Sequence, residues 1–214
     1  MLPLLLAATT SAAAAAVPTG PELTPVNKLP VAHEHRTGLV VGLSLGGGLG
    51  GASGYPNNAS QIGDPSYYSA SGVMLGTSET IFVMGALSDY LSFGFWYGHA
   101  VFSNSDWHSV GSGGGLRLEL FPLVGLFPRL QGLGVLAQAG IGGGNLVSTR
   151  PGLPAAEGTE SFGGAGAFYE WSFAHVFGGH LGAGPSLEYD AIWSQPFERH
   201  GLVGSVRLAF YGGP

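Results

Sequence analysis

The run Gly113-Gly114-Gly115-Leu116-Arg117-Leu118-Glu119-Leu120-Phe121 alternates strictly. Leu116, Leu118 and Leu120 share one face of an extended chain, and Gly115, Arg117 and Glu119 share the other. Successive side chains of a strand point to opposite sides of a sheet, so a period of two predicts a strand. Alternation does not say which face meets water. Composition decides that. Only 9% of the 214 residues are charged, against about 25% in soluble globular proteins. A soluble sheet protein of this size needs far more ionised groups to solvate its outer faces. No stretch beyond the N-terminus supplies the roughly 18 apolar residues of a spanning helix. Low charge with strand periodicity then predicts an all-β fold, an eight-stranded antiparallel up-and-down transmembrane β-barrel, with the leucine faces toward lipid.

The same pattern recurs from Gly38 to the end of the chain. It predicts strands over about 38–50, 69–86, 90–102, 113–121, 132–144, 162–175, 180–193 and 201–211. Leu39, Val41, Leu43, Leu45 and Leu49 are outward in the first. Phe93, Phe95 and Tyr97 are outward in the third, and Leu187, Tyr189 and Trp193 in the seventh. Glu79 shares the parity of Val73 and Leu75, which predicts a bulge near residues 76–78. Polar loops are expected at 51–67, 103–112, 145–161 and 194–200. Tight turns are expected at 87–89 and 176–179, with a proline-punctuated link over 122–131. This long-short asymmetry places both termini on the periplasmic side. Phe121, Phe173 and Phe210 at one end, and Tyr97 and Trp193 at the other, suit the two lipid headgroup regions. His175, His180 and His200 read as interfacial residues at strand ends.

Residues 1–16 carry an apolar core followed by small residues, which reads as a secretory signal peptide. Residues 17–37 are proline-rich and aperiodic and read as an N-terminal periplasmic tail, leaving residues 38–211 for the barrel domain. The formal net charge of −6 with no basic patch predicts no nucleic-acid partner.

On this strand pattern the chain resembles the small eight-stranded outer-membrane barrels of the OmpA, OmpX and OmpW kind, over about residues 38–211. The resemblance implies a monomer in the outer membrane of a diderm bacterium. Its partners would be outer-membrane lipid and lipopolysaccharide, with the barrel-assembly machinery acting during insertion. It implies no cofactor and no catalysis, and a structural, adhesive or minor pore role. Members usually finish on an aromatic residue; here Phe210 and Tyr211 are followed by Gly212-Gly213-Pro214.

Inward positions read as mostly Gly, Ser and Ala with a few charges. The expected lumen network is Arg117, Glu119, Glu170, Glu188, Asp190 and Arg207, with Glu79 as a further candidate. Such buried charges must pair, either as a narrow cation-favouring pore or as a plug that fills the barrel. Two other classes compete. A lipid-modifying enzyme would need a Ser, a His and a carboxylate in hydrogen-bond reach. The candidates are His99, Ser103, Ser105, Asp106 and His108, although the His-x-Ser-Asn pattern of lipid A deacylases is not matched. A soluble lipocalin-like carrier would turn the leucines inward. His33-Glu34-His35 offers two imidazoles on one side of an extended segment, a weak metal site. The glycine run 46–50 lacks the lysine and helix of a phosphate loop.

Overall fold

The computed structural model describes residues 36–213. The signal peptide, nearly all of the tail and His33-Glu34-His35 lie outside the described residues.

Eight long antiparallel strand segments close on themselves: β1 (Gly38–Gly54), β3 (Met74–Ser88), β4 (Leu91–Ser103), β5 (Trp107–Leu120), β6 (Leu133–Ser148), β7 (Ala156–Tyr169), β9 (Gly179–Trp193) and β10 (Phe197–Tyr211). The two-residue β2 (Ser69–Ala70) pairs with β1 beside the first loop, and β8 (Trp171–Val176) continues the line of β7 along β9. Because β10 pairs with β1, the eight long strands close on themselves; among the described residues β8 pairs on one side only, with β9.

Register fixes the shape. Stepping across paired residues from Val41 leads through Val83, Phe95, Leu116, Ala139, Gly163, Ala191 and His200. The path returns to β1 at Gly51, ten residues further along. With ordinary strand spacings, that stagger over eight strands gives a tilt of about 43° and a radius of about 8 Å.

The alternation decides the facing. Leu45 is 56% exposed, Phe95 68% and Ile141 75%, while Phe82, Phe102 and Phe168 on the opposite parity are buried. The leucine faces therefore look outward, and the lipocalin-like arrangement is not the one this chain adopts.

Several expectations are corrected. There is no bulge at residues 76–78: β3 runs in continuous register with β1 and β4 through Glu79, and its one irregularity lies at Ala86–Ser88. Glu79 thus points outward, directly opposite His99, and does not join the lumen set. The loops expected at 103–112, 145–161 and 194–200 are much shorter. Strands extend into them because Trp107, Leu146, Ala156 and Phe197 turn inward and build an apolar cluster with Met74, Phe102 and Val203. Ser109, Gly111 and Gly158, read as loop, are buried strand positions on the same inward face, and Asn145 and Ser161 are strand positions on the opposite face. Phe121 is not at a headgroup position; it is buried against Phe168, edge to face at 5.4 Å. His180 is buried as well, stacked 4.7 Å from Tyr211.

The expected sixth strand starts earlier and is broken. The β7–β9 ladder stops at the pair Phe168–Ser186 and resumes with β8 at Trp171–Ala183. Between them on β9 lie Gly184 and Pro185, and proline has no N–H for the ladder. Glu170 sits at this break, its N–H donated to the Gly132 carbonyl at 2.9 Å. Past the break Ser172 is exposed.

At the loop end the connections are tied together. Tyr55 donates its N–H to the Pro196 carbonyl, Ser69 Oγ donates to the Pro154 carbonyl, and Asn104 Nδ2 donates to the Ser71 carbonyl. In the first loop Asp64 caps the short 3-10 turn Pro65–Tyr67. The Ser66 N–H and hydroxyl hold the Asp64 carboxyl below its ordinary pKa. At the opposite end, Phe177 and Gly178 both adopt positive φ in the two-residue β8–β9 turn, the geometry that lets a hairpin follow the strand twist.

Candidate functional site

The lumen is not lined mainly by small residues. Trp96 and Phe162 pack 4.5 Å apart with Phe82, Met84 and Ile192, and Phe121, Val124, Leu136 and Phe168 close the terminal end. A layer of ionised side chains crosses the barrel between and beside these rings.

Five of the six residues expected there lie in one hydrogen-bonded cluster. Arg207 Nη1 and Nη2 donate to the two carboxylate oxygens of Glu119 at 2.6 and 2.8 Å, and its Nε donates to Glu170 Oε2 at 3.1 Å. Arg117 Nε donates to Glu119 Oε1 at 2.9 Å, and its Nη1 donates to Glu188 Oε2 at 3.2 Å. Both guanidinium groups also lie over the Phe82 ring, at 4.9 Å for Arg117 and 4.3 Å for Arg207. The forked pairing of Arg207 with Glu119 is the geometry that planar guanidinium and carboxylate groups match best. Asp190, the sixth, stands apart from both arginines and accepts from Gln138 Nε2 at 2.7 Å.

Sequence reasoning missed four participants. Gln138 links Arg117 to Asp190, since its Oε1 accepts from Arg117 Nη1 at 3.2 Å. Its inward parity was set by Val135, Ala137 and Ala139. Tyr211 donates its hydroxyl to Glu170 Oε2 at 3.1 Å. Arg199 is buried, donates to the Ala100 carbonyl at 3.1 Å and lies over Phe102. It shares the parity of Arg207, and reading residues 194–200 as loop hid it. Arg36 covers the terminal end with its guanidinium 3.8 Å from the Phe121 ring centre. Nothing periodic surrounds Arg36, so no sequence signal pointed to it.

The Ser/His candidates do not form a catalytic constellation. Ser103 and His108 are paired across β4 and β5, whereas His99 lies opposite Ser112, lower on the outer wall. The Asp106 carboxylate is held by Arg150 Nη2 at 2.5 Å, not by a histidine.

A closed barrel with an apolar outer wall and an internal ion-pair layer can sit in a bilayer and block its own axis. No model of a known protein family matches the chain, and no curated protein matches it in sequence. Among solved structures it is similar to Ail, the attachment invasion locus protein of Yersinia pestis. The identity is 9% and the TM-score 0.51, over 81% of this chain and 99% of that one. It is also similar to the N-terminal β-barrel domain of Pseudomonas aeruginosa OprF, at 13% identity and TM-score 0.40, over 80% of this chain and 98% of that one. For Neisserial surface protein A the identity is 14% and the TM-score 0.39, over 80% and 96%. The fold is that of the small eight-stranded outer-membrane barrels.

Proposed function

We propose that this chain is an integral outer-membrane protein with a sealed lumen, acting through its loop-end surface rather than as a pore or an enzyme. The observation that carries the reading is the buried layer formed by Arg117, Glu119, Glu170, Glu188 and Arg207, held between aromatic clusters. A conducting lumen needs charges that water can reach. Here Arg117, Glu119 and Arg207 are fully buried and paired with one another.

In this reading residues 1–16 direct export and the terminal end faces the periplasm. The outward leucine faces meet outer-membrane lipid and lipopolysaccharide after insertion by the assembly machinery. The barrel is a monomer that needs no cofactor. The hydrogen bonds that tie the β1–β3 loop to its neighbours make the loop end an ordered platform, as an adhesive or structural role requires.

The test is refolding of the mature chain into detergent, followed by heat-dependent gel mobility and planar-bilayer recording. The expected result is a band that shifts on boiling and a silent bilayer. A band that does not shift overturns the membrane-barrel reading. Reproducible conductance steps overturn the sealed lumen.

A further inference from the structure

A small internal cavity lies against the wall formed by β9, β10, β1 and β3. Ser44, Ser78, Thr80, Ser205, Glu188 and Asp190 line it. Val203 also lines the cavity; the other six side chains offer oxygen, as four hydroxyls and two carboxylates. The volume is about 10 Å³, room for a single small occupant.

Two independent observations show that the protein's own groups do not satisfy this cavity. The Ser44 hydroxyl is buried, with the residue 4% exposed, and has no hydrogen-bond partner. An orphaned buried hydroxyl is costly and calls for a ligand. Asp190 accepts one hydrogen bond, from Gln138, and no described cation lies within ion-pair distance of it. Glu119, Glu170 and Glu188 each have an arginine partner.

The charge count points the same way. Of the two carboxylates at the cavity, Glu188 is paired with Arg117 and Asp190 has no ion-pair partner among the described residues, which leaves one negative charge uncompensated there. Oxygen-only ligand sets suit hard cations, and a single positive charge restores neutrality. We propose that this cavity binds one monovalent cation, Na⁺ or K⁺, between Glu188 and Asp190, with the Ser44 hydroxyl as a neutral ligand. The ion completes the charged layer and locks the lumen shut. The site depends on the closed barrel alone, so it stands or falls separately from the membrane role.

The test is urea unfolding of the refolded full chain at fixed ionic strength, with NaCl or KCl replaced stepwise by choline chloride. An ion bound only by the folded state lowers the unfolding constant in proportion to its concentration near saturation. The expected result is a log–log slope of the unfolding constant approaching minus one for Na⁺ or K⁺, and about zero for Asp190→Asn. Ser44→Ala should weaken the apparent affinity several-fold. Equal stability in choline and sodium or potassium overturns the proposal, as does stabilisation by Mg²⁺ or Ca²⁺ alone. A dependence on pH without any dependence on cation also overturns it, because a proton would then neutralise Asp190. If Asp190→Asn does not fold, the wild-type salt series still decides.

Discussion

Arg207 grips the Glu119 carboxylate through both Nη atoms, at 2.6 and 2.8 Å, although 88 residues separate the two in the chain. The bond spans the lumen from β10 to β5 and joins opposite walls of the barrel. Removing one partner leaves the other buried with only one counter-charge, Glu170 for Arg207 or Arg117 for Glu119. Glu119→Gln or Arg207→Met alone should destabilise the barrel by roughly 3–5 kcal/mol. The double variant should cost less than the sum, since both charges of the pair are gone, although Glu170 then keeps only the Tyr211 hydroxyl. Urea unfolding in detergent micelles measures both. Additive single effects would mean that the pair is not coupled as its geometry requires.

The sealed lumen predicts silence even in weakened variants. Glu188→Ala removes one partner of Arg117, but the Trp96–Phe162 pair and the Phe121–Phe168 pair remain in place. Planar-bilayer recordings of this variant should show no more conductance steps than wild type. Steps that appear on this single change would identify the charged layer as the only barrier.

Much of this architecture was legible in the alternation. The outward sets Leu39–Leu49 and Phe93–Tyr97 and the inward Arg117, Glu119, Glu188 and Arg207 follow from parity alone. Three features were not legible, each for a physical reason. Parity is a local signal, so Arg199 disappeared once its segment was taken for loop. Glu79 shares the parity of Val73 and Leu75, and a carboxylate on that outward face predicts a bulge that the strand does not contain. The tilted register instead sets Glu79 above Ile81 and Val83, toward the loop end and beside His99. The break at Glu170 arises from Pro185 on the neighbouring strand, and only pairing shows which strand a proline affects.

Two glycines of the same sheet should respond oppositely to alanine. A Cβ at Gly76 would fall against the Val101 carbonyl oxygen, with Phe102 Cα only 2.7 Å away. Both are backbone atoms of the paired strand and cannot step aside. A Cβ at Gly204 on the outer face meets nothing nearer than the Gly47 carbonyl oxygen at 4.0 Å. Gly76→Ala should therefore cost about 1–3 kcal/mol. Gly204→Ala should be neutral within about 0.5 kcal/mol or slightly stabilising, by restricting the unfolded chain. Paired urea midpoints decide, and equal losses at both sites would mean that the facing of β1, β3 and β10 is wrong.

The outer wall carries the last prediction. Val83, Phe95 and Leu116 occupy adjacent strands on the outer face and are exposed. Thr77 and Ser112, on the same face, lie nearer the loop end, where polar residues replace apolar ones. If the belt meets acyl chains, an arginine near its middle costs about 2–4 kcal/mol, whereas one near the interface costs about 0–1 kcal/mol. Leu116→Arg should thus destabilise the barrel in lipid vesicles several-fold more than Thr77→Arg does. In a water-soluble barrel both changes would add a solvated charge and be nearly neutral. Folding of the two variants into vesicles, read by urea midpoint, therefore separates a lipid-facing wall from a water-facing one. Equal midpoints would show that the exposed leucines do not face acyl chains.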